Sequence, residues 1–161
     1  MSEHLTDDAR RRRAHATVDR VMSTLLAKDM AGFAGLWAPT GIMEFPFAPP
    51  GRPRRLDGAD AVWEYVRDYT DHIDLRAITS ETRHETQNPD VLVVEFSVEG
   101  LAVRTGRPYR MSYVAVIEVG AEGIVSYRDY WNPLAVAEAL GADSELVAGS
   151  ANAAAHQEAR A

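Results

Sequence analysis

Residues 127–131 read YRDYW, and they place one aspartate, Asp129, among aromatic side chains. Aspartate is disfavoured in strands and is seldom buried without a partner. Because strand side chains alternate between two faces, an inward Asp129 brings Tyr127 and Trp131 inward and leaves Arg128 and Tyr130 outside. A carboxyl enclosed by rings loses hydration, which raises its pKa towards the range useful for acid–base catalysis. Alternatively, Asp129 is exposed or caps the following helix.

The same alternation on the neighbouring strands predicts an apolar pocket around Asp129. Tyr113 and Tyr127 are candidates to hydrogen-bond its carboxyl or a substrate oxygen, so these three form the predicted catalytic group. The predicted substrate-binding residues are Met43, Phe45, Phe47, Tyr65, Tyr69, Phe96, Val98, Met111 and Trp131. Each is equally compatible with an ordinary core position. One carboxyl in an apolar cup favours proton transfer, enolisation, aldol-type ring closure, dehydration or cyclisation of a folded substrate.

The sequence lacks the residue patterns of metal sites, phosphate-binding loops and serine or cysteine nucleophiles. The chain has no cysteine, and no pair of histidines has the spacing of metal ligands with a carboxylate. It also has no glycine-rich phosphate loop before a helix and no G-x-S-x-G motif. The sequence therefore predicts no metal and no cofactor. His72 is either a proton shuttle beside the pocket or a surface histidine.

The net charge and the N-terminal sequence bear on the localisation of the protein and on the classes of partner it binds. The formal net charge of −7 argues against a nucleic-acid partner. The basic run of residues 10–13 is interpreted as the solvated start of a helix. No apolar run is long enough for a membrane span, and the first residues lack the apolar segment of a signal peptide. We expect a cytoplasmic protein with no membrane partner.

Apolar periodicity and turn residues predict the elements that position the pocket. Helices are predicted over residues 8–27, 30–37 and 58–69, with a short one over 132–141. Strands are predicted over residues 41–47, 75–86, 92–99, 109–119 and 124–131. Residues 1–7 and 142–161 are expected to be flexible or poorly ordered ends of a single domain.

This order of elements predicts an α+β fold, with helices gathered on one side of a curved, mostly antiparallel sheet. The proline-rich segment of residues 48–55 follows the strand that bears Phe45, so we expect it to form a lid or rim of the pocket, unless it is a dimer contact. The outward face with Arg128 and Tyr130 is the candidate interface of a homodimer.

Four segments carry a resemblance to a known family: residues 25–47, 56–66, 85–96 and 123–141. In order and spacing they resemble the SnoaL-like group of the nuclear-transport-factor-2-like (NTF2-like) superfamily, over residues 8–141. The last two segments resemble the phenazine-biosynthesis A/B proteins. The resemblance implies a cone-shaped α+β domain in which a mixed sheet wraps around three N-terminal helices.

The resemblance also separates the possible activities. The catalytic acid of the phenazine A/B proteins matches Asp129, whereas their histidine matches Tyr65. The Arg-x-Asp pair of limonene epoxide hydrolase, another relative with an aspartate at this place, matches Phe96 and Val98. The base of ketosteroid isomerase matches Phe45. The acid on the last strand is thus the one catalytic group that is retained.

These patterns together predict a cofactor-free cyclase or isomerase that uses Asp129 on an apolar biosynthetic intermediate. The substrate class, a polyketide-like molecule of secondary metabolism such as antibiotic biosynthesis, is implied by the resemblance alone. One alternative is a protein that binds a hydrophobic metabolite without turnover. Another is a dimerising interaction domain with a vestigial pocket.

Overall fold

The computed structural model describes residues 4–140 of the chain. Its helices are α1 (Asp7–Leu26), α2 (Met30–Ala34), α3 (Ala59–Val66), α4 (Tyr69–His72) and α5 (Pro133–Leu140). Its strands are β1 (Trp37–Glu44), β2 (Arg55–Asp57), β3 (Ile73–Glu85), β4 (Val91–Ala102), β5 (Pro108–Gly120) and β6 (Gly123–Trp131). The predictions for residues 1–3 and 141–161 lie outside the described residues.

The two N-terminal helices begin at the capping residues that the sequence offers. The Thr6 hydroxyl accepts a hydrogen bond from the Ala9 amide, and the Asp29 carboxylate accepts one from the Gly32 amide. Asp7 and Asp8 lie in the first turn of α1, where negative charge favours the helix dipole. The buried stripe of α1 consists of Ala14, Val18, Val21 and Met22. These side chains pack towards the sheet, so the core lies between it and the helices.

The six strands form one mixed sheet in the order β2-β1-β6-β5-β4-β3. β3 to β6 are joined by successive antiparallel pairings, as predicted, whereas β1 lies parallel to β6. The parallel pairing places the first strand in sequence, β1, beside the last strand, β6. Register shifts in β3, at residues 75–77 and 78–80, bend this edge of the sheet. The sheet and helices confirm the predicted α+β fold.

The faces of the central strands agree with the predicted alternation. On β4, Val94, Phe96 and Val98 are buried, while Glu95 and Glu99 are exposed. A shift of this register by one residue would place both glutamates in the core, at a large cost in desolvation. The register therefore fixes which side chains reach the interior.

Several boundaries differ from the prediction, and three of these differences lie in β1 and in the predicted third helix. β1 ends at Glu44 and not at residue 47, because the Ala48 amide donates to the Phe45 carbonyl in a turn and Pro46 has no amide hydrogen. β1 also starts earlier, at Trp37, which was assigned to the second helix. The predicted third helix is broken into α3 and α4 at residues 67–68.

β2 was not predicted, since it is only three residues long. Residues 55–57 pair with residues 42–44 of β1 and were assigned to a loop and a turn. This short strand matters for the site because it anchors the end of the proline-rich segment to the sheet.

The basic run at the start of α1 has structural partners and is only partly solvated. Arg10 binds Asp90 through Nε and Nη2, at 2.9 and 2.7 Å, and Arg13 lies 3.3 Å from the same carboxylate. Arg11 donates to the Thr86 carbonyl. These contacts hold α1 against the turn between β3 and β4. Arg12 remains exposed.

No helix within residues 4–140 is both long enough and apolar enough to cross a membrane.

Candidate active site

A cavity of about 170 Å³ lies between the inner face of the sheet and the helices. A water needs roughly 10–15 Å³ by the same measure, so the space accommodates a small organic molecule. Its lining consists of Leu25, Met30, Phe33, Met43, Phe45, Arg52, Tyr65, Val66, Tyr69, His72, Ile73, Leu75, Phe96, Val98, Tyr109, Tyr113, Tyr127, Asp129, Trp131 and Val136. Predominantly apolar and aromatic walls with a few polar groups are typical of a small-molecule site.

Asp129 points into this cavity from β6. It pairs with Ala115 of β5, and its neighbours of the same parity, Tyr127 and Trp131, also line the cavity. The alternative in which Asp129 caps α5 is excluded, because the Asn132 side chain accepts the hydrogen bond from the Leu134 amide there. The sheet register thus positions the carboxyl.

The Asp129 carboxyl is poorly solvated, and its hydrogen-bonding capacity is not fully satisfied. Its Oδ1 is buried and has no hydrogen-bond partner in the described part of the chain. Burial disfavours the charged form and raises the pKa of Asp129 to about 7. Both protonation states are then populated near neutral pH, which is the condition under which one group serves as acid and base.

Five tyrosines surround the carboxyl. Burial raises the pKa of each, to about 12 for Tyr109, and negative charge on Asp129 raises all five further. Their hydroxyls therefore stay protonated and serve as hydrogen-bond donors at neutral pH. The five are Tyr65, Tyr69, Tyr109, Tyr113 and Tyr127.

The two predicted catalytic tyrosines have different surroundings. The Tyr113 hydroxyl lies 2.6 Å from the Tyr109 hydroxyl, and its ring stacks on Phe96 at 5.1 Å. The ring of Tyr127 lies 5.4 Å from that of Trp37. No hydrogen bond joins either hydroxyl to Asp129 in residues 4–140. Both hydroxyl groups belong to side chains of the cavity wall, so each is placed to meet a ligand.

Arg52 is the functional candidate that the sequence patterns missed. It enters the cavity from the proline-rich segment, and its Cζ lies 4.7 Å from the centre of the Trp131 ring. Burial lowers its pKa, and its Nε is buried without a hydrogen-bond partner in the described chain. Arg52 is thus a cationic side chain in the same cavity as Asp129, and the two form no ion pair.

Two predicted binding residues lie outside the cavity. Phe47 is 59% exposed and packs against the ring of Tyr130 at 5.1 Å, because the turn after Phe45 reverses the parity of the strand. Met111 is buried in the core and does not line the cavity. The other seven predicted binding residues line it, as does His72.

The prediction of a homodimer through the outer face with Arg128 and Tyr130 stays a prediction, which light scattering would test.

The proline-rich segment contributes to the cavity wall through Arg52. Two backbone hydrogen bonds order the segment: the Phe45 amide donates to the Arg54 carbonyl and joins the segment's end to the residue after β1, and the Arg52 amide donates to the Pro49 carbonyl within the segment. Gly51 adopts φ +90°, a conformation that favours glycine. The position fits the predicted rim, whereas movement as a lid stays a prediction.

This sheet, with its helices on one face and its acid in a buried cup, defines a small α+β domain of the NTF2-like type. The chain belongs to the SnoaL-like domain family, whose sequence model matches residues 18–127. The matched region begins within α1, contains α2 to α4 and most of the sheet, and stops two residues before Asp129. The expected family is therefore confirmed.

Its relatives have names that are themselves provisional. The chain is 41% identical over 129 residues to the uncharacterized protein YesE of Bacillus subtilis, which covers 80% of this chain and 88% of the relative. It is 37% identical over 113 residues to an uncharacterized PhzA/B-like protein of Pseudomonas aeruginosa, covering 70% of this chain and 79% of the relative.

Solved structures show the same architecture. A Bacillus subtilis protein provisionally named as an isomerase matches with a TM-score of 0.79 and 39% identity, over 85% of this chain and 96% of its own. A Xanthomonas campestris protein provisionally named as a polyketide cyclase matches with a TM-score of 0.70 and 16% identity, over 82% of this chain and 99% of its own. The second likeness shows the fold alone.

Proposed function

We propose that this chain is a cofactor-free cyclase or isomerase that uses Asp129 as general acid and base on an apolar biosynthetic intermediate. The observation that carries the proposal is the Asp129 carboxyl itself: it faces an apolar cavity, its Oδ1 has no hydrogen-bond partner within residues 4–140, and its pKa is raised to about 7. A structural carboxyl in a core would have a hydrogen-bond partner.

The chemistry follows from the two protonation states of Asp129. The carboxylate takes a proton from a carbon next to a substrate carbonyl, and the resulting acid returns that proton to another carbon or to an oxygen. Return to carbon isomerises the substrate, whereas attack of the enolate on a second carbonyl closes a ring. The walls hold the substrate in the reactive conformation, which lowers the entropic part of the barrier.

The apolar lining supports the proposed substrate class. Phe45 and Tyr65 pack at 5.0 Å, and Phe96 stacks on Tyr113, so flat aromatic surfaces form part of the cavity wall. Such surfaces suit a polyketide-like or other largely unsaturated molecule. The names of the structural neighbours, an isomerase and a polyketide cyclase, are consistent with this class.

A second candidate function is the binding of a hydrophobic metabolite without turnover. It is favoured by the same apolar lining and by the lack of a hydrogen bond between Asp129 and any of the tyrosines in the described residues. In this case Asp129 only contributes to ligand recognition. A domain that works only through protein contacts is a third outcome of the test below.

The test follows proton transfer directly. The protein is incubated in D₂O with 2-tetralone or with a 1,3-diketone, and loss of the protons next to the carbonyl is followed by NMR. We expect the wild type to accelerate exchange and Asp129→Asn to lose at least about a hundredfold of that acceleration. Glu95→Gln, which removes an exposed carboxylate on the outer face of β4, is the matched control and should exchange like the wild type.

Ligand-induced thermal shifts separate the alternatives. Asp129→Asn should still be stabilised by the probe, because the cavity walls remain. Binding without accelerated exchange in the wild type would favour the metabolite-binding protein. The lack of any thermal shift with either probe would favour the interaction domain.

A further inference from the structure

Arg52 reaches the cavity from a segment whose backbone is held in place. The Phe45 amide donates to the Arg54 carbonyl at 2.9 Å, and the Arg52 amide donates to the Pro49 carbonyl at 3.2 Å. Proline residues on both sides restrict the chain further. The side chain therefore enters the interior from a defined position and is not a surface arginine that has folded inward by chance.

The charge of Arg52 has no counterion in the described structure. No Asp or Glu side chain within residues 4–140 lies within 4.0 Å of its guanidinium, and Nε is buried without a partner. By contrast, Arg10 and Arg13 are paired with Asp90, although Arg13 Nε is also buried without a partner in the described residues. Arg52 is half-buried, and the desolvation of its Nε is not compensated by any hydrogen bond within residues 4–140.

The surroundings of Arg52 suit a planar ligand group whose negative charge lies on oxygen, such as a carboxylate or an enolate. Its Cζ lies over the Trp131 ring at 4.7 Å, which holds one face of the guanidinium and leaves its edges for hydrogen bonds. Tyr65, Tyr109 and Tyr113 lie within electrostatic range of the charge. The Tyr109 and Tyr113 hydroxyls are hydrogen-bonded to each other at 2.6 Å, so this pair keeps one hydroxyl proton for a ligand. A guanidinium with such donors binds a carboxylate or an enolate much better than a neutral ligand.

We propose that Arg52 is the binding group for an oxygen anion of the ligand, and that the molecule taken by this cavity is an apolar carbonyl compound bearing a carboxylate or forming an enolate. The inference rests on the proposed function, because it assigns a substrate class to the same cavity. Asp129 and Arg52 both line the cavity without forming an ion pair, so a ligand contacts both.

The two groups then divide one reaction. Asp129 takes the proton from the carbon, and the electron pair of the broken C–H bond becomes part of the enolate, whose negative charge lies largely on oxygen. Arg52 compensates that charge, or holds a carboxylate that is present from the start and so fixes the position of the carbon. The proton on Asp129 and the enolate together balance the reactant, and no further reagent is needed.

The carboxylate form is tested by comparing 2-naphthoate with 2-naphthamide, which have nearly the same shape and differ in charge. Affinities are measured by calorimetry for the wild type, Arg52→Gln and Arg54→Gln. Arg54 is exposed, lies two residues away and does not line the cavity, so its variant is the matched control. We expect Arg52→Gln to weaken naphthoate binding by about tenfold or more and naphthamide binding by less than about twofold.

The enolate form is tested with benzoylacetone, a 1,3-diketone whose enolate is followed by its ultraviolet absorption. The pH at which the bound diketone ionises is measured in the wild type and in Arg52→Gln. We expect ionisation in the wild type about one pH unit or more below that in the variant, since a nearby cation favours the charged form. A dependence seen with naphthoate identifies a permanent carboxylate, and one seen only with the diketone identifies an enolate.

The proposal is overturned if Arg52→Gln affects neither probe, or if Arg54→Gln affects them equally. Should Arg52→Gln fail to fold, the wild type alone decides: equal affinity for naphthoate and naphthamide, with no shift in the ionisation of benzoylacetone, would exclude an anion site. These experiments measure binding, so they can support the anion site even if Asp129→Asn retains full proton exchange and the proposed function fails. Failure of this inference is thereby distinct from failure of the proposed function.

Discussion

Ala115 lies directly opposite Asp129 in the antiparallel pairing of β5 and β6, and Ala115 is fully buried. Side chains paired in this way have Cβ atoms about 5 Å apart. Ala115 does not itself line the cavity. A longer side chain at this buried position would therefore have to push Asp129 or its neighbours into the cavity.

Ala115→Leu should narrow the cavity. We expect binding of 2-naphthoate to weaken by about tenfold or more, with a loss of about 1–3 kcal/mol in the free energy of unfolding from overpacking. Calorimetry and urea denaturation measure the two effects. Val114→Leu, one residue away on the outward face, is the control and should bind normally. Unchanged affinity in Ala115→Leu would show that the ligand does not use the space beside Asp129.

The prolines of the segment that carries Arg52 should contribute to ligand binding through the order they impose. Replacing Pro49 and Pro50 by glycine enlarges the conformational freedom of the chain, at about 0.4–1 kcal/mol of stability for each. We expect naphthoate affinity to fall several-fold, because Arg52 is then less well held. Pro39→Gly, at an exposed position of β1 away from the cavity, should lower stability without this loss. Equal naphthoate affinity in the wild type, the Pro49 and Pro50 variant and Pro39→Gly would contradict a role of the segment as a rim of the cavity.

The strands and their faces were predictable because they depend on local rules. Alternation of Val94, Phe96 and Val98 with exposed glutamates leaves one register that buries the apolar set. Hairpin turns at residues 105–108 and 120–123 then join neighbouring strands. The parallel pairing of β1 with β6 joins residues more than 80 positions apart, and no local pattern specifies it. For this pairing the family resemblance was needed.

The site was predictable where it lies on strands and was missed where it lies on a loop. Asp129 follows from the parity of β6. Arg52 does not, since glycine and proline indicate a loop without indicating where its side chains point. The signal that was available is the presence of arginine in a segment expected at the rim. Phe47 was assigned wrongly for a related reason: the alternation was extended through Pro46, beyond the end of β1.

The contact between α1 and the β3–β4 turn should stabilise the fold independently of the site. Asp90 accepts two hydrogen bonds from Arg10, and these hydrogen bonds, helped by the Arg10 charge, lower the pKa of this carboxyl. Both side chains are partly buried, so we expect Asp90→Asn to cost about 1–3 kcal/mol of unfolding free energy. Arg12→Gln, at an exposed position of the same run, should change it by less than about 0.5 kcal/mol. Denaturant titration that gives equal values for both variants would contradict this role.

The pH dependence of stability should report the environment of Asp129. Its pKa is raised to about 7 in the folded protein, against roughly 3.9 in the unfolded chain. Between these values the folded state retains a proton that the unfolded state has lost, so the free energy of unfolding falls as pH rises from about 4 to 7 and levels off above 7. The slope is on the order of 1 kcal/mol per pH unit. Carboxyls with a lowered pKa, such as Asp90, act in the opposite sense but at more acidic pH.

Asp129→Asn removes this contribution, because an amide does not ionise in this range. We therefore expect the wild type to lose stability relative to the variant between pH 5 and 7, whatever the fixed cost of placing the amide in the cavity. Urea denaturation of both proteins across this range measures the difference, and Glu122→Gln, whose carboxylate is exposed in the β5–β6 turn, should follow the wild type. Parallel curves for the wild type and Asp129→Asn would mean that the Asp129 carboxyl is solvated and ionised throughout. In that event its burial could not be the source of acid–base activity near neutral pH, and catalysis would have to depend on the shape of the cavity alone.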